Sequence, residues 1–390
     1  MNIPLQRIAD KYIGYFLIGL LIIPTRLLGL FLKRDHTQNK APDEIMVIKL
    51  LGLGSLVQAL DSIRQLKFHF PYSRIILVTE STTAAGIRPF QVFDEIRELR
   101  TSGIMVMMKD AARILFGALR VRHLWVVDLE VYSKLTTVFA LLTCAINRFG
   151  FILSPVIFRK YLNTHNVVFG REKFIGENYH EIAGAVTTKN LEAETGRRIG
   201  VNRTGKYIVV NNTCSQLASV RKMSDKTFTG IIQWILQNTT YDVALAGAPE
   251  DYSSLDQMLN SHFETRKQGV KILAGEMLFD EYYTFLRSQC VCMVSIDSAP
   301  LHIAKYFGIP TVSVWGPTHP VHHFHIAEEE SAYHELSYHA VSCSPCIHYT
   351  EKLPCGGDNF CMKEITSDEI IIRLKIVLKR IEAEQTVSRA

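Results

Sequence analysis

The sequence has no run of roughly twenty apolar residues, the length a helix needs to cross the ~30 Å hydrocarbon core of a bilayer, so a simple transmembrane span is disfavoured. It also lacks low-complexity tracts, a collagen-like period and a heptad series, which excludes fibrous and largely disordered classes. The formal charge is only +5, and the basic residues are dispersed except at Lys33–Arg34 and in the last helix. That argues against a nucleic-acid surface and leaves anionic lipid or phosphate as the negatively charged ligands. No small-residue cleavage site follows the apolar N-terminus cleanly, and the chain is large, so its eight cysteines do not read as a secreted disulfide scaffold. Gly52-Leu-Gly54 falls short of a dinucleotide fingerprint, and no NAD site is inferred.

What is present is a globular composition, 47% hydrophobic and 21% charged over 390 residues. At about 100–200 residues per domain, two lobes are expected. Ahead of them, Tyr12–Thr25 carries no charge, and after Arg26 a second apolar run, Leu27–Leu32, ends at Lys33 and Arg34. Fourteen helical residues span about 21 Å, too short for a bilayer core. Pro24 interrupts the helix, so the segment reads as an interfacial or re-entrant helical hairpin, with Tyr12, Tyr15 and the basic residues at headgroup level. The expectation is a monotopic or peripheral protein on a membrane surface. A signal peptide, or a helix buried against the protein's own core, are the competing readings.

From Glu44 onward, short β-branched runs alternate with amphipathic stretches, the pattern of βαβ units. Ile45–Leu50 reads as a strand, Ser55–His69 as a helix and Ser73–Thr79 as the next strand. A strand at Ile104–Met107, a helix around Asp110–Gly117 and a strand at His123–Asp128 continue the series. A helix over Ser133–Ile146 and a short strand at Arg148–Phe151 follow. A polar region, Thr188–Gly205, separates a second block: strand Tyr207–Asn211, helix Ser224 to about Gln237, then strands Asp242–Ala246, Ile272–Leu273, Cys290–Ile296 and Thr311–Trp315. Ile370, Ile371, Leu374, Val377, Leu378 and Ile381 share one face of a final helix, and Thr366 and Glu369 form its capping box. This helix is expected to lie across the two lobes.

The fold class is therefore α/β, two Rossmann-like domains with parallel sheets. The expected division is membrane-associating helices at 1–40, an N-terminal Rossmann-like domain at 41–187 and a linker at 188–206. A C-terminal Rossmann-like domain at 207–335, a Cys-rich loop at 336–365 and a helix and tail at 366–390 complete it.

The segment Ser295–Pro320 reads as a strand end, a helix and a second strand ending in a turn. Asp297 and Ser298 stand where strand gives way to helix, and there free N–H groups and the helix dipole favour an anion such as a diphosphate. Taken alone, Asp297 or Ser298 reads first as an ordinary N-cap, and it is the combination with the neighbouring residues that favours the anion site. Gly316-Pro317 ends the next strand just as sharply, and in open parallel sheets ligands bind at the carboxyl ends of strands.

Asp297-Ser298-Ala299-Pro300-Leu301-His302-Ile303-Ala304, followed by Gly316-Pro317-Thr318, resembles the glycosyltransferase family 9 segment, with Ala299 where that family usually has glycine. Its best-known members are ADP-heptose:lipopolysaccharide heptosyltransferases. The resemblance extends to Lys49–Ser55, Val127–Ser133, Ser219–Met223 and Ala246–Glu250. It implies a GT-B fold with the two sheets facing a cleft, donor nucleotide in the C-terminal lobe and acceptor in the N-terminal lobe. It also implies inversion at the anomeric carbon, with no metal required for catalysis. Arg221 and Lys222 would stabilise the departing diphosphate with the helix start at Ser298, and His302 would contact donor phosphate or sugar.

The family's loop after the first strand usually carries Gly-Asp, and that aspartate is its acceptor base; here Gly54-Ser55 stands instead. An unassisted serine is a poor base, so Asp128 and Glu130, at the end of a first-lobe strand, are the expected substitutes. Cys343, Cys346, Cys355 and Cys361 suit a structural zinc; free or disulfide-linked cysteines and an iron–sulfur cluster also fit the spacing. His319, His322, His323 and His325 are irregularly spaced and read as a polar loop rather than a metal site.

Together these features point to transfer of a heptose or related sugar from a nucleotide-diphosphate sugar to a lipid-linked glycan such as lipopolysaccharide core. The expected location is the cytoplasmic face of a bacterial inner membrane. A nucleotide-sugar epimerase and a noncatalytic nucleotide-sugar-binding paralogue are the alternatives.

Overall fold

The computed structural model of the chain describes residues 3–32, 35–189, 191, 205–263, 269–347, 349–350 and 352–387. The expected linker at 188–206 lies mostly outside the described residues, as do Lys33 and Arg34. The chain divides into two compact units, Met1–Ala193 and Glu194–Ala390.

The first unit opens with one helix, α1 (Ile3–Leu32), with Pro24 inside it. It continues with β1 (Glu44–Ile48), α2 (Leu53–His69), β2 (Arg74–Glu80), α3 (Ser81–Ile87), β3 (Glu95–Leu99), α4 (Ile104–Ala118) and β4 (Leu124–Asp128). It ends with α5 (Lys134–Leu142), β5 (Asn147–Ile152), β6 (His165–Val168) and α6 (Ile175–Thr187). All six strands are parallel, in the order β3-β2-β1-β4-β5-β6. The central strands are covered on both faces, which is why β1 (EIMVI) and β4 (LWVVD) are nearly continuous apolar runs. Met46, Ile48 and Val126 face α4 and α5, whereas Val47 and Val127 face α2 and α6.

The second unit comprises β7 (Tyr207–Asn211), α7 (Asp225–Asn238), β8 (Asp242–Leu245), α8 (Tyr252–His262), β9 (Val270–Ile272), α9 (Phe279–Gln289) and β10 (Cys290–Ile296). These are followed by α10 (Ala299–Tyr306), β11 (Thr311–Trp315), α11 (Pro320–His323), β12 (His334–Tyr338), α12 (Phe360–Lys363) and α13 (Ser367–Val387). Its parallel sheet runs β12-β11-β10-β7-β8-β9. Counted within each unit, both sheets have the strand order 3-2-1-4-5-6. In such a sheet the order reverses between the first and fourth strands, here β1/β4 and β7/β10, and ligands bind at the carboxyl ends there.

Two expectations are corrected. Ile104–Met107 is not a strand but the first turn of α4, and the strand sits upstream at Glu95–Leu99. Ile-Met-Val-Met imitates a buried strand, whereas β3 is an edge strand whose three charged residues hide the apolar signal. The N-terminal segment is a single helix rather than a hairpin, and it belongs to the fold. Ile18 packs with Leu17, Leu21 and Ile22 against Val138 and Leu141 of α5 and against Phe158 and Leu162. The Asp10 carboxylate accepts from Ser133 Oγ (2.8 Å), Lys134 N (2.9 Å) and Leu135 N (3.0 Å), so a residue of α1 caps α5. Finally, α13 packs on α7, β11 and β12 of the second unit through Ile370, Leu374, Val377 and Ile381. Its Thr366 hydroxyl accepts from Glu369 N at 3.3 Å, as the capping pattern predicts. Among the described residues no helix is long and apolar enough to cross a membrane.

Candidate functional site

Each unit gathers a polar cluster at its switch point. In the second unit, Ser295 of β10 pairs in register with Asn211, the last residue of β7. Asn211 Nδ2 donates to Ser295 Oγ (3.0 Å) and Ser298 Oγ (2.8 Å), while Thr213 Oγ1 donates to Asn211 Oδ1 (2.9 Å). One amide thus ties the two strand ends together and orients the N-cap serine of α10.

Asp297 follows, and it is a post for other side chains rather than an exposed ligand group. Its carboxylate accepts from Thr318 Oγ1 (2.7 Å) and, in the tautomer protonated there, from His302 Nε2 (3.2 Å). Arg221 Nη1 lies 3.4 Å from Oδ2 and also donates to the Asp297 carbonyl at 3.1 Å. Burial alone would raise this carboxyl, but Arg221 and the His302 hydrogen bond outweigh it and hold it well below the usual carboxylate range. The cluster therefore contains a fixed negative charge surrounded by donors. Burial pushes His323 down to about 4 even though Asp297 draws it the other way, so His323 is neutral at physiological pH. Lys222, next to Arg221, makes no ion pair among the described residues and is partly exposed.

Gly316 ends β11 beside the Cys-rich loop, where a Cβ would collide with the Met362 side chain and lie 3.1 Å from Cys361 Sγ. Cys346 N (3.0 Å) and Ile347 N (3.1 Å) donate to the Pro317 carbonyl, and Ser344 Oγ donates to that of Gly316. Asn359 Nδ2 donates to the carbonyls of Val220 (3.1 Å) and Lys222 (2.9 Å). The Cys-rich loop accordingly holds both the Arg221–Lys222 loop and the Gly316–Pro317 turn. Cys343, Cys346, Cys355 and Cys361 line one small cavity with Val220 and Pro317. Burial and then the neighbouring thiols push Cys361 up to about 11 and raise Cys346. Among the described residues, no group of three or more His, Cys, Asp or Glu is arranged to hold a metal. His319 accepts from Val321 N (3.2 Å) at the start of α11, a capping role.

In the first unit, Gly52 adopts φ 92°, the left-handed turn that lets β1 pass into α2. Glu130 is wrapped by this turn: Oε1 accepts from Leu50 N (2.8 Å) and Leu51 N (3.2 Å), and Oε2 lies 3.2 Å from Lys49 Nζ. Ser55 Oγ donates to the Gly52 carbonyl at 2.8 Å. The buried Tyr179 lies beside Lys49, Glu130 and Ser55.

Asp128 is placed differently. It is 1% exposed against the fully buried Arg159, whose Nη2 donates to Oδ2; Thr136 Oγ1 (2.9 Å) donates to the same oxygen and Glu130 N (3.0 Å) to Oδ1. Arg159 Nη1 donates to the carbonyls of Glu130 and Val131. Burial pushes Asp128 up to about 6, with Arg159 opposing. This pair fixes the chain where Glu130 leaves β4. Of the two expected carboxylates, then, Glu130 is the one that meets the loop carrying Ser55.

Sequence patterns did not single out Arg159, Tyr179, Asn211 or Asn359, because each gains its role from a partner distant in the chain. Lys49 and Asn211 could have been found, since each is a polar residue at the carboxyl end of an apolar strand.

Residues 171–356 match the model of glycosyltransferase family 9 (heptosyltransferase). No curated protein sequence matches the chain. Among solved structures, the chain is similar to Escherichia coli ADP-heptose lipopolysaccharide heptosyltransferase II, with a TM-score of 0.66 and 14% identity over 86% of this chain and 99% of that one. A glycosyltransferase family 9 protein from Veillonella parvula gives a TM-score of 0.65 and 16% identity over 88% and 100% of the two chains. Escherichia coli heptosyltransferase WaaC with ADP-2-deoxy-2-fluoro heptose gives 0.64 and 11% over 85% and 99%. At these identities the likeness concerns the fold, which is shared along nearly the whole of each relative.

Proposed function

We propose that the chain, a family 9 glycosyltransferase over residues 171–356, moves a heptose or related sugar from a nucleoside-diphosphate donor to a lipid-linked glycan such as lipopolysaccharide core, with inversion. The observation that carries this reading is the Arg221–Asp297–His302 cluster at the β7/β10 switch point, inside the matched segment. An ADP-linked sugar is the first donor to test, because the WaaC relative was solved with one.

In this reading the diphosphate lies at the start of α10, near Ser298, Ala299 and Pro300, with Gly316 ending the neighbouring strand. Lys222 supplies the mobile cation, and Arg221 and His302, positioned by Asp297, supply fixed donors. An acceptor hydroxyl attacks the anomeric carbon as the bond to the diphosphate oxygen breaks. Its proton passes to Glu130, which takes the place of the aspartate that Ser55 replaces. Asp128 and Arg159 hold Glu130 in position. Helix α1 rests on a membrane surface through its outer face, bringing the first unit to a lipid-linked acceptor at the cytoplasmic face of the inner membrane.

The four cysteines are not arranged here as a metal site, but thiolates are the donor type a structural zinc takes and all four line the cavity against Val220 and Pro317, so a zinc that drew them together would brace the donor loops. Catalysis requires no step at that cation. Metal analysis of the purified protein, with one zinc per chain expected, tests this part.

The decisive experiment is turnover of ADP-, UDP-, GDP- and CDP-sugars with a lipid-linked acceptor, following nucleoside diphosphate release and the anomeric configuration of the product. Thermal stabilisation by none of these donors overturns the reading. Stabilisation without turnover supports a noncatalytic paralogue, and an epimerised donor without acceptor supports an epimerase.

A further inference from the structure

We propose that helix α4 is a second lipid-contacting element, pressed on the same anionic bilayer surface as α1. The inference extends the membrane reading of α1 and rests on it. Along α4, Met105 (77% exposed), Met108, Ala112, Phe116 (66%) and Leu119 follow the three- and four-residue spacing of one helix face, and all are exposed. The opposite face, Ala111, Ile114 and Ala118, packs into the sheet. An outward apolar stripe of this size on a water-facing helix needs an occupant.

Charge identifies that occupant. Lys109, Arg113, Arg120 and Arg122 are exposed around the stripe. The one acid of the helix, Asp110, is turned inward and buried, with Arg100 Nη2 at 2.7 Å from Oδ1 and Nε at 2.8 Å from Oδ2. That pair holds Asp110 down at about 2, so no free negative charge opposes the cations on the outer face. An apolar ridge on a helix whose own outward charges are all cations is complementary to acyl chains beneath anionic headgroups.

Position supports the same conclusion. Helices α4 and α5 cover one face of the first sheet, and α1 packs on α5. On α1, Tyr12, Phe16, Leu20, Ile23, Leu27 and Phe31 make their own exposed stripe at the same spacing. Two apolar stripes therefore belong to the helical layer on one side of a single unit, as a planar partner requires.

Flotation of the full-length protein with phosphatidylcholine vesicles, with and without 30 mol% phosphatidylglycerol, tests the proposal. Three variants are compared after their folding is checked by circular dichroism: Met105→Ser/Met108→Ser/Phe116→Ser, Arg113→Glu/Arg120→Glu, and Phe16→Ser/Leu20→Ser/Ile23→Ser on α1. The expectation is that the wild-type protein floats with anionic vesicles and that each α4 variant, like the α1 variant, loses about tenfold or more in partitioning. If the wild-type protein and the α1 variant behave as expected but both α4 variants float as wild type, the α4 inference is wrong and the α1 reading survives. If the wild-type protein stays at the bottom, both fail. If the α4 variants change sedimentation from dimer to monomer while flotation is unaltered, the stripe pairs two copies of the chain and the lipid assignment is overturned.

Discussion

Arg159 and Asp128 form a salt bridge in which both side chains are almost wholly buried, at the point where β4 hands the chain to Glu130. The pair buries the Asp128 carboxylate against Arg159 and fixes the Glu130 backbone, whereas sequence position alone made Asp128 the first candidate for the replacement base. Arg159→Leu, which strands a buried carboxylate, is expected to cost about 3–5 kcal/mol in urea unfolding. The double variant with Asp128→Asn is expected to recover part of that loss, whereas independent additive losses would contradict the coupling.

Glu130→Gln is expected to lower kcat by about 10²–10⁴-fold while leaving donor affinity close to wild type, because it removes a proton acceptor and leaves the proposed donor residues of the second unit unaltered. Ser55→Ala is expected to retain most activity. A normal kcat for Glu130→Gln would remove the assigned base.

Lys222→Met and Arg221→Met should separate by their effects on folding. Lys222 makes no ion pair among the described residues, so its loss is expected to weaken donor binding or turnover, by roughly 10²-fold in kcat/KM, with Tm unchanged. Arg221 opposes the buried Asp297 charge, so its loss is expected to lower Tm as well. Thermal melts beside donor titrations distinguish the two.

His334 is buried on β12, its Nδ1 2.9 Å from Thr311 Oγ1, and burial pushes its pKa down to about 4. In the unfolded chain the imidazole titrates near 6.5. Between those values the unfolded state binds the extra proton, so stability falls as pH drops from about 6.5 toward 4. Asp128, raised to about 6, contributes a slope of opposite sign between about 3.8 and 6, so the test is the difference between wild type and His334→Gln. The variant's unfolding free energy should decline less steeply with acid.

Asp10→Ala is expected to lower stability by about 0.5–2 kcal/mol, since the Asp10 carboxylate caps α5. Limited proteolysis should then cut the chain after α1 sooner. Unchanged proteolysis would mean that the apolar contacts at Ile18 alone dock this helix.

The alternation of apolar strands with amphipathic helices by itself determined two parallel α/β units. Tyr207–Asn211, Cys290–Ile296 and Thr311–Trp315 were legible to the residue because central strands must be apolar on both faces. The Asp297–His302 and Gly316–Thr318 motifs likewise fall just past strand ends, as their spacing predicts, since that needs only local chain direction. The edge strand β3 stayed hidden because solvent on one side allows it charges. Only the tertiary structure decided that α1 docks on α5 and that Asp297 is occupied by Arg221, His302 and Thr318. It alone decided that Asp128 is consumed by Arg159 while Glu130 closes on the Ser55 loop. Those outcomes depend on which charges become neighbours once water is excluded, and no spacing along the chain encodes that.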